Sequence, residues 1–195
     1  VLDELPEKTE LIVPVELSEE EMAIYENIRT RTLSGLQSEK INPIEALMAL
    51  TKLRQAACSP ELVDKHLTIP SSKIRVFLEL VSELKENKHR ALVFSQFTSF
   101  LALVRQALDK AGIEYLYLDG SVPAAQRKKL VETFQNGDMP LFLIRLTAGG
   151  TGLNLTAADY VIHLDPWWNP AVEDQASDRA YRIGQKRPVT IYKLI

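Results

Sequence analysis

Three polar residues near the end of the chain have the types and spacing to do chemistry: Gln175, Arg179 and Arg182, within Gln175-Ala176-Ser177-Asp178-Arg179-Ala180-Tyr181-Arg182. Read as a helix, they fall at i, i+4 and i+7 and project from one face. Val172, Ala176, Ala180 and Ile183 form an apolar stripe. At ~100° per residue its centre lies only about 105° from the polar one. The two guanidiniums are therefore expected at the margin of a buried face, where a cleft would be. Each is always charged and presents a planar fork of donors, so a pair held there suits a polyphosphate. The competing reading is a solvated helix whose Asp178–Arg182 pair at i, i+4 contributes roughly a few tenths of a kcal/mol.

A second segment, Ala148-Gly149-Gly150-Thr151-Gly152-Leu153-Asn154, follows an apolar run. Three glycines let the backbone approach an anion closely, and their amides, with Thr151 and Asn154, could bind phosphate oxygens. No Gly-Lys-Ser/Thr follows, so it is not a phosphate-binding P-loop, and a tight structural turn explains it equally well. Trp167-Trp168-Asn169-Pro170 offers one tryptophan to the core, by default Trp167, and the other to a second domain or a nucleic-acid backbone. Ser95-Gln96 and Gly120-Ser121 are weak signals singly, because polar residues after strands often only cap the next helix. The Gln126-Arg127-Lys128-Lys129 cluster reads as a solvated face.

The elements that must position these residues follow from periodicity. Residues 1–17, with Pro6 and Pro14, read as an extended connector. Ser18 is placed to cap a helix running to about residue 33, and a second helix starts near Pro43 and ends at Cys58-Ser59-Pro60. The domain boundary is expected within 64–72, giving a connector and helical segment over 1–70 and a second domain over 71–195. Beyond it, strands are expected at 91–95, 115–118, 141–146, 160–164 and 189–194, with helices at 98–110 and 124–135. Strands this apolar, separated by helix-length segments, predict an α/β fold: a parallel sheet covered on both faces. Ligands collect at the carboxyl ends of such strands, where Ser95, Gly120, residues 147–154 and 165–169 fall.

The 195 residues, 46% hydrophobic, can build one domain with a substantial core and an appendage. A single cysteine, Cys58, leaves no internal disulfide and fits a reducing compartment. No run approaches the ~20 apolar residues that span a bilayer, so no membrane partner is expected. The chain opens on Val and reads as a piece of something longer. The net charge of −3 hides an asymmetry. Residues 1–70 carry 7 Lys+Arg against 13 Asp+Glu, a balance of −6, whereas 71–195 carry 16 against 13, a balance of +3. A polyanion should meet the second part.

Taken together, Val93-Phe94-Ser95-Gln96-Phe97, Leu118-Asp119-Gly120-Ser121, residues 148–156, Asp165-Pro166-Trp167-Trp168-Asn169-Pro170 and residues 175–185 resemble the second RecA-like lobe of Swi/Snf-family, superfamily-two helicase-like DNA translocases. The resemblance runs from about Ser71 to Ile195 and is most specific in Asp178-Arg179-Ala180-Tyr181-Arg182-Ile183-Gly184-Gln185. Leu53-Arg54-Gln55-Ala56-Ala57-Cys58-Ser59-Pro60 resembles the helical region before that lobe, and Leu5-Pro6-Glu7-Lys8 the inter-lobe connector.

The resemblance implies the C-terminal half of a DNA-stimulated ATPase motor that translocates on double-stranded DNA to remodel protein–DNA complexes. Arg179 and Arg182 would be its arginine fingers, with Gln175 ordering them and Gly152 near the nucleotide. Ser95, Gln96, Gly120, Ser121, Thr147, Gly149, Gly150, Trp168 and Asn169 would face the DNA backbone or the inter-lobe surface. ATP and Mg²⁺ would be bound mainly by the first lobe, a partner in cis, because no Walker A lysine occurs in this sequence and no metal site is assigned to it. The chain alone is then expected to be inactive. Two positions depart from the pattern: Arg145 stands where a small residue is common, and Thr147 where Lys or Arg is common. A phosphate contact at 147 would be weaker, or moved to Arg145. The alternatives are a remodeler that partners RNA polymerase or other DNA-bound proteins, and a degenerate lobe serving only as a DNA-binding scaffold. The protein would be cytoplasmic and nucleoid-associated in a prokaryote, nuclear in a eukaryote.

Overall fold

The computed structural model describes residues 5–37, 40–148, 153–166 and 169–195. They form two compact units, 15–76 and a second one built from 1–14 together with 77–195.

The first unit is helical. Helix α1 (Glu19–Leu36) opens on a reciprocal cap: Ser18 Oγ accepts from the Glu21 amide, and Glu21 Oε1 accepts from the Ser18 amide at 3.2 Å. Helix α2 (Pro43–Cys58) is capped by Asn42 and starts with proline at its first turn, where the missing N–H costs nothing. Glu21 is buried and does a second job. Its carboxylate also accepts from the amide and hydroxyl of Ser72, the first residue of α3 (Ser72–Glu86). One carboxylate thus satisfies orphan donors at the start of two helices.

The second unit carries a six-stranded, all-parallel sheet in the order β1-β6-β5-β2-β4-β3. Its strands are β1 (Lys8–Val13), β2 (Ala91–Ser95), β3 (Leu116–Leu118), β4 (Leu141–Arg145), β5 (Tyr160–His163) and β6 (Val189–Leu194). The segment expected as an extended connector is thus an edge strand, in register from Lys8 opposite Val189 to Val13 opposite Leu194. All five residues of β2 and the first four of β4 are buried, as happens only when a sheet is covered on both faces. Helix α4 (Thr98–Ala111) buries Phe100, Leu101, Val104 and Leu108, α3 buries Phe77, Val81 and Leu84, and α5 (Ala124–Asn136) buries Phe134. The last packs with Leu92, Phe94, Phe142 and Ile144 in the central core.

The strand order reverses direction at β2, whose neighbours are β4 and β5. In a parallel sheet that reversal opens a crevice at the carboxyl ends, where ligands bind. The last helix, α6 (Pro170–Ser177), follows β5, and its final residue meets His163 at the end of that strand. Among the described residues no helix is long and apolar enough to cross a bilayer.

Candidate functional site

The arginine-bearing segment is not the continuous helix that its spacing predicts. Helix α6 ends at Ser177, and residues 178–184 continue as successive turns closed by short-range bonds. Ala180 and Tyr181 donate to the Ser177 carbonyl, and Gln185 donates to that of Arg182. The helix stops because tertiary partners take over its backbone groups. Gln185, buried, shares the two N–H groups of Nε2 among the carbonyls of Thr156, Ala158 and Ala180 at 2.8–3.0 Å, while its Oε1 accepts the amides of Lys186 and Arg187. A residue that satisfies five backbone groups outcompetes another helical turn. Ile183, expected in the apolar stripe, is 82% exposed for the same reason, whereas Ala176 and Ala180 are buried and Val172 half-buried as expected.

Leaving the helix gives the two arginines different environments. Arg179 is 6% exposed. Its Nη2 donates to the Ala148 carbonyl at 2.8 Å and its guanidinium lies 5.5 Å over the Phe94 ring, the penultimate residue of β2. Burial pulls its pKa below the ordinary arginine value. Arg182 is half-buried, and its Nη1 donates to the Leu153 carbonyl at 3.3 Å. The two side chains therefore engage the two carbonyls that flank residues 149–152. The backbone does likewise, since Leu155 donates to the Arg179 carbonyl at 2.9 Å. Gln175 is exposed on α6. Gly149, Gly150, Gly152 and Trp168 lie outside the described residues.

The remaining predicted residues sort by exposure. Ser95 is 1% exposed. Its Oγ accepts from the Phe97 amide at 3.0 Å and its carbonyl from Leu146, so it shapes the start of α4 from inside. Gln96, half-buried, donates its backbone N–H to Asp165 Oδ2 at 3.2 Å, which joins the ends of β2 and β5 across the crevice. Asn169 caps α6 by accepting from the Ala171 amide. Gly120, Ser121 and Thr147 are exposed at the carboxyl edge, and so is Arg145, whose guanidinium comes so near Gly120 that a Cβ there would stand 4.0 Å from Nη1. Beside them Asp119 accepts from Ser121 and from the Tyr117 hydroxyl, which hold its carboxyl below the usual range. Burial, then that same hydrogen bond, pushes Tyr117 up to about 12, with the Arg105 guanidinium 4.1 Å over its ring.

Sequence reasoning assigned no role to Gln185, His163, Glu173 or Asp165. Gln185 and Asp165 stand inside segments that carry the resemblance, which was the available signal. Partners some 10 to 69 positions away left none for His163 or for the rest of their networks.

Residues 72–184 match the helicase conserved C-terminal domain family. An uncharacterized ATP-dependent helicase of Mycoplasma genitalium is 38% identical over all of this chain and 19% of its own length. The human SWI/SNF-related matrix-associated actin-dependent regulator of chromatin subfamily A member 1 is 36% identical over 98% of this chain and 20% of its own. The chain thus spans about a fifth of the length of these curated relatives. Among solved structures, the Sulfolobus solfataricus SWI2/SNF2 ATPase core in complex with dsDNA superposes with a TM-score of 0.81 at 31% identity, covering 100% of this chain and 42% of that one. The C-terminal domain of a Sulfolobus solfataricus SWI2/SNF2 ATPase gives 0.78 at 27%, over 97% and 79%.

Proposed function

This chain belongs to the helicase conserved C-terminal domain family as a Swi/Snf-type RecA-like lobe, and from that premise we propose that it is one wall of an ATP-hydrolysing motor that moves on double-stranded DNA. The observation that carries the reading is the attachment of Arg179 and Arg182 to the two ends of the glycine segment at the carboxyl edge of the sheet. Arginine side chains fixed by backbone carbonyls lose little freedom when they meet a phosphate, so their charge is pre-organised for a transition state.

The two arginines divide the work. Arg182, half-buried, is the finger that meets the γ-phosphate as charge spreads over it. Arg179, buried, holds the Ala148 carbonyl and adds its charge to the field. An arginine in this role typically supplies ~10³–10⁵ in rate, or roughly 4–7 kcal/mol. Gly152 and Gln175 are assigned to the nucleotide side. Mg²⁺, which would offset phosphate charge, is assigned with most of the ATP contacts to the first lobe.

The DNA backbone meets the exposed edge at Gly120, Ser121, Arg145 and Thr147, while Ser95 and Gln96 set that edge from within; Gly149, Gly150, Trp168 and Asn169 are assigned to the same contact. Contacts of this kind address phosphates rather than base edges, so little sequence preference follows. Alternate closing and opening of the two lobes would step the protein along the duplex.

ATPase assays with and without duplex DNA test the division of labour. The intact protein is expected to hydrolyse ATP with strong DNA stimulation, and the 195-residue chain alone to show none. DNA-stimulated turnover by the purified chain would overturn the proposal that the rest of the active site lies elsewhere.

A further inference from the structure

A polar string runs from β1 through β6 and α6 to β5 and has no part in the site described so far. Glu10 on β1 pairs with Lys193 on β6 at 3.9 Å, and Lys193 pairs with Glu173 on α6 at 3.8 Å. Glu173 Oε2 stands 3.7 Å from Nδ1 of His163 on β5, whose Nε2 meets Ser177 Oγ at 3.0 Å. His163 also stacks on Phe94, ring centroids 5.5 Å apart, and Phe94 is the ring over which Arg179 lies.

Ser, His and Glu in this order are the parts of a nucleophilic triad. They are not one here: Ser177, His163 and Glu173 are 4%, 1% and 4% exposed, so no substrate reaches the hydroxyl. What distinguishes Ser177 is its place. It is the last residue of α6, and its carbonyl accepts the amides of Ala180 and Tyr181, the first bonds of the turns that carry the arginines. The imidazole grips the side chain of the residue on which those turns are built.

The imidazole can do this because it stays neutral. Burial, with the nearby Lys193 charge, lowers its pKa to about 3, and a neutral ring keeps one lone pair. The Glu173 carboxyl on the Nδ1 side favours the N–H there, which leaves Nε2 to accept from the Ser177 hydroxyl. The Ser177 hydroxyl is thereby held on the β5 imidazole, and with it the end of α6.

We infer that His163 and Ser177 are positioning residues, which aim Arg179 and Arg182 by anchoring the end of α6 to β5. The inference rests on the finger assignment above. Misplacing a reacting group by about 1 Å can cost 10²-fold in rate, so losing one anchor of several should cost about tenfold.

The test is made in the intact protein with Ser177→Ala, Ser177→Thr, His163→Phe, the double variant and Arg182→Ala. DNA-stimulated kcat, KM for ATP, DNA affinity and the thermal midpoint are measured for each. Ser177→Ala should lose about tenfold in kcat with KM and DNA affinity within about twofold, and Ser177→Thr, which keeps the hydroxyl, should recover most of the loss. His163→Phe keeps the stack on Phe94 but accepts no hydrogen bond. It should show the same loss, and the double variant should be no worse than either single one. If Ser177→Ala keeps kcat within twofold while Arg182→Ala is crippled, the positioning role is wrong and the finger assignment stands. Ser177→Ala losses that fall equally on kcat, KM and DNA affinity would mean general loosening and also overturn it. If Arg182→Ala itself turns over normally, the finger assignment fails and this inference falls with it.

Discussion

The Tyr181 hydroxyl donates to the Pro6 carbonyl at 2.8 Å, across 175 positions of sequence, so the arginine-bearing turns are tied to the chain two residues before the edge strand. Lys8, at the start of β1, lies 5.2 Å over the same ring. Tyr181→Phe keeps the ring and removes the donor. It should lower unfolding free energy by about 1 kcal/mol, the usual net value of one hydrogen bond. Urea titration of the chain checks this, and an unchanged midpoint would mean that the tie contributes nothing.

Gln185 should be far more costly to replace. Gln185→Leu strands three carbonyls and two amides that its side chain now satisfies. A loss of at least about 3 kcal/mol is expected, since each buried polar group left unpaired costs about 1–3. Gln185→Glu should be no better, because a carboxylate cannot donate to carbonyls. Denaturation of both variants beside Tyr181→Phe ranks the two anchors directly.

Buried His163 gives the fold a pH dependence. Its pKa falls from 6.5 to about 3 on folding. Between those values the unfolded chain binds a proton that the native chain refuses, so stability is full above about pH 6.5 and declines as pH falls toward 3. At pH 5 the loss should be roughly 2 kcal/mol relative to pH 7, from ~1.4 kcal/mol per pH unit. Thermal midpoints across pH 7 to 4.5 should fall in the wild type and less steeply in His163→Phe. Parallel slopes would remove His163 as the cause.

Binding of duplex DNA by the chain alone should be weak, indifferent to sequence and sensitive to salt, because backbone phosphates dominate and the whole carries −3. Arg145→Ala should weaken it uniformly across sequences and flatten the salt dependence, since Arg145 is the exposed cation beside Gly120. Fluorescence anisotropy at two salt concentrations measures both. Tight binding to one sequence that ignores salt would contradict the backbone-contact reading.

Much of the fold was legible in the sequence. β2 and β6 match their expected ranges, and the other strands from β3 on, like α4 and α5, fall within one residue at each end. Uninterrupted apolar strands flanked by helix-length segments leave little ambiguity in a parallel sheet. The pairing of Lys8–Val13 with β6 was not legible, because an edge strand with polar residues looks like any extended connector. Nor was the end of α6. Local spacing favoured a helix through Arg182, and only Gln185, reaching carbonyls brought close by the fold, reveals why the chain turns at Ser177. The residues of the arginine segment were found by type and resemblance, while their geometry depended on partners that periodicity cannot see.

Arg182 gives the sharpest test of the motor reading, because Arg179 is buried over Phe94 and its replacement by alanine should unsettle the fold as well. Arg182 makes one long bond, 3.3 Å, to Leu153, so the fold should survive its loss. The decisive measurement is DNA-stimulated kcat of the intact protein carrying Arg182→Ala or Arg182→Lys. The expected result is a fall of about 10³-fold or more in both, with DNA affinity nearly unchanged, because an ammonium lacks the planar fork. Hydrolysis by Arg182→Ala at near wild-type rates would contradict the finger assignment and leave the segment as a structural turn.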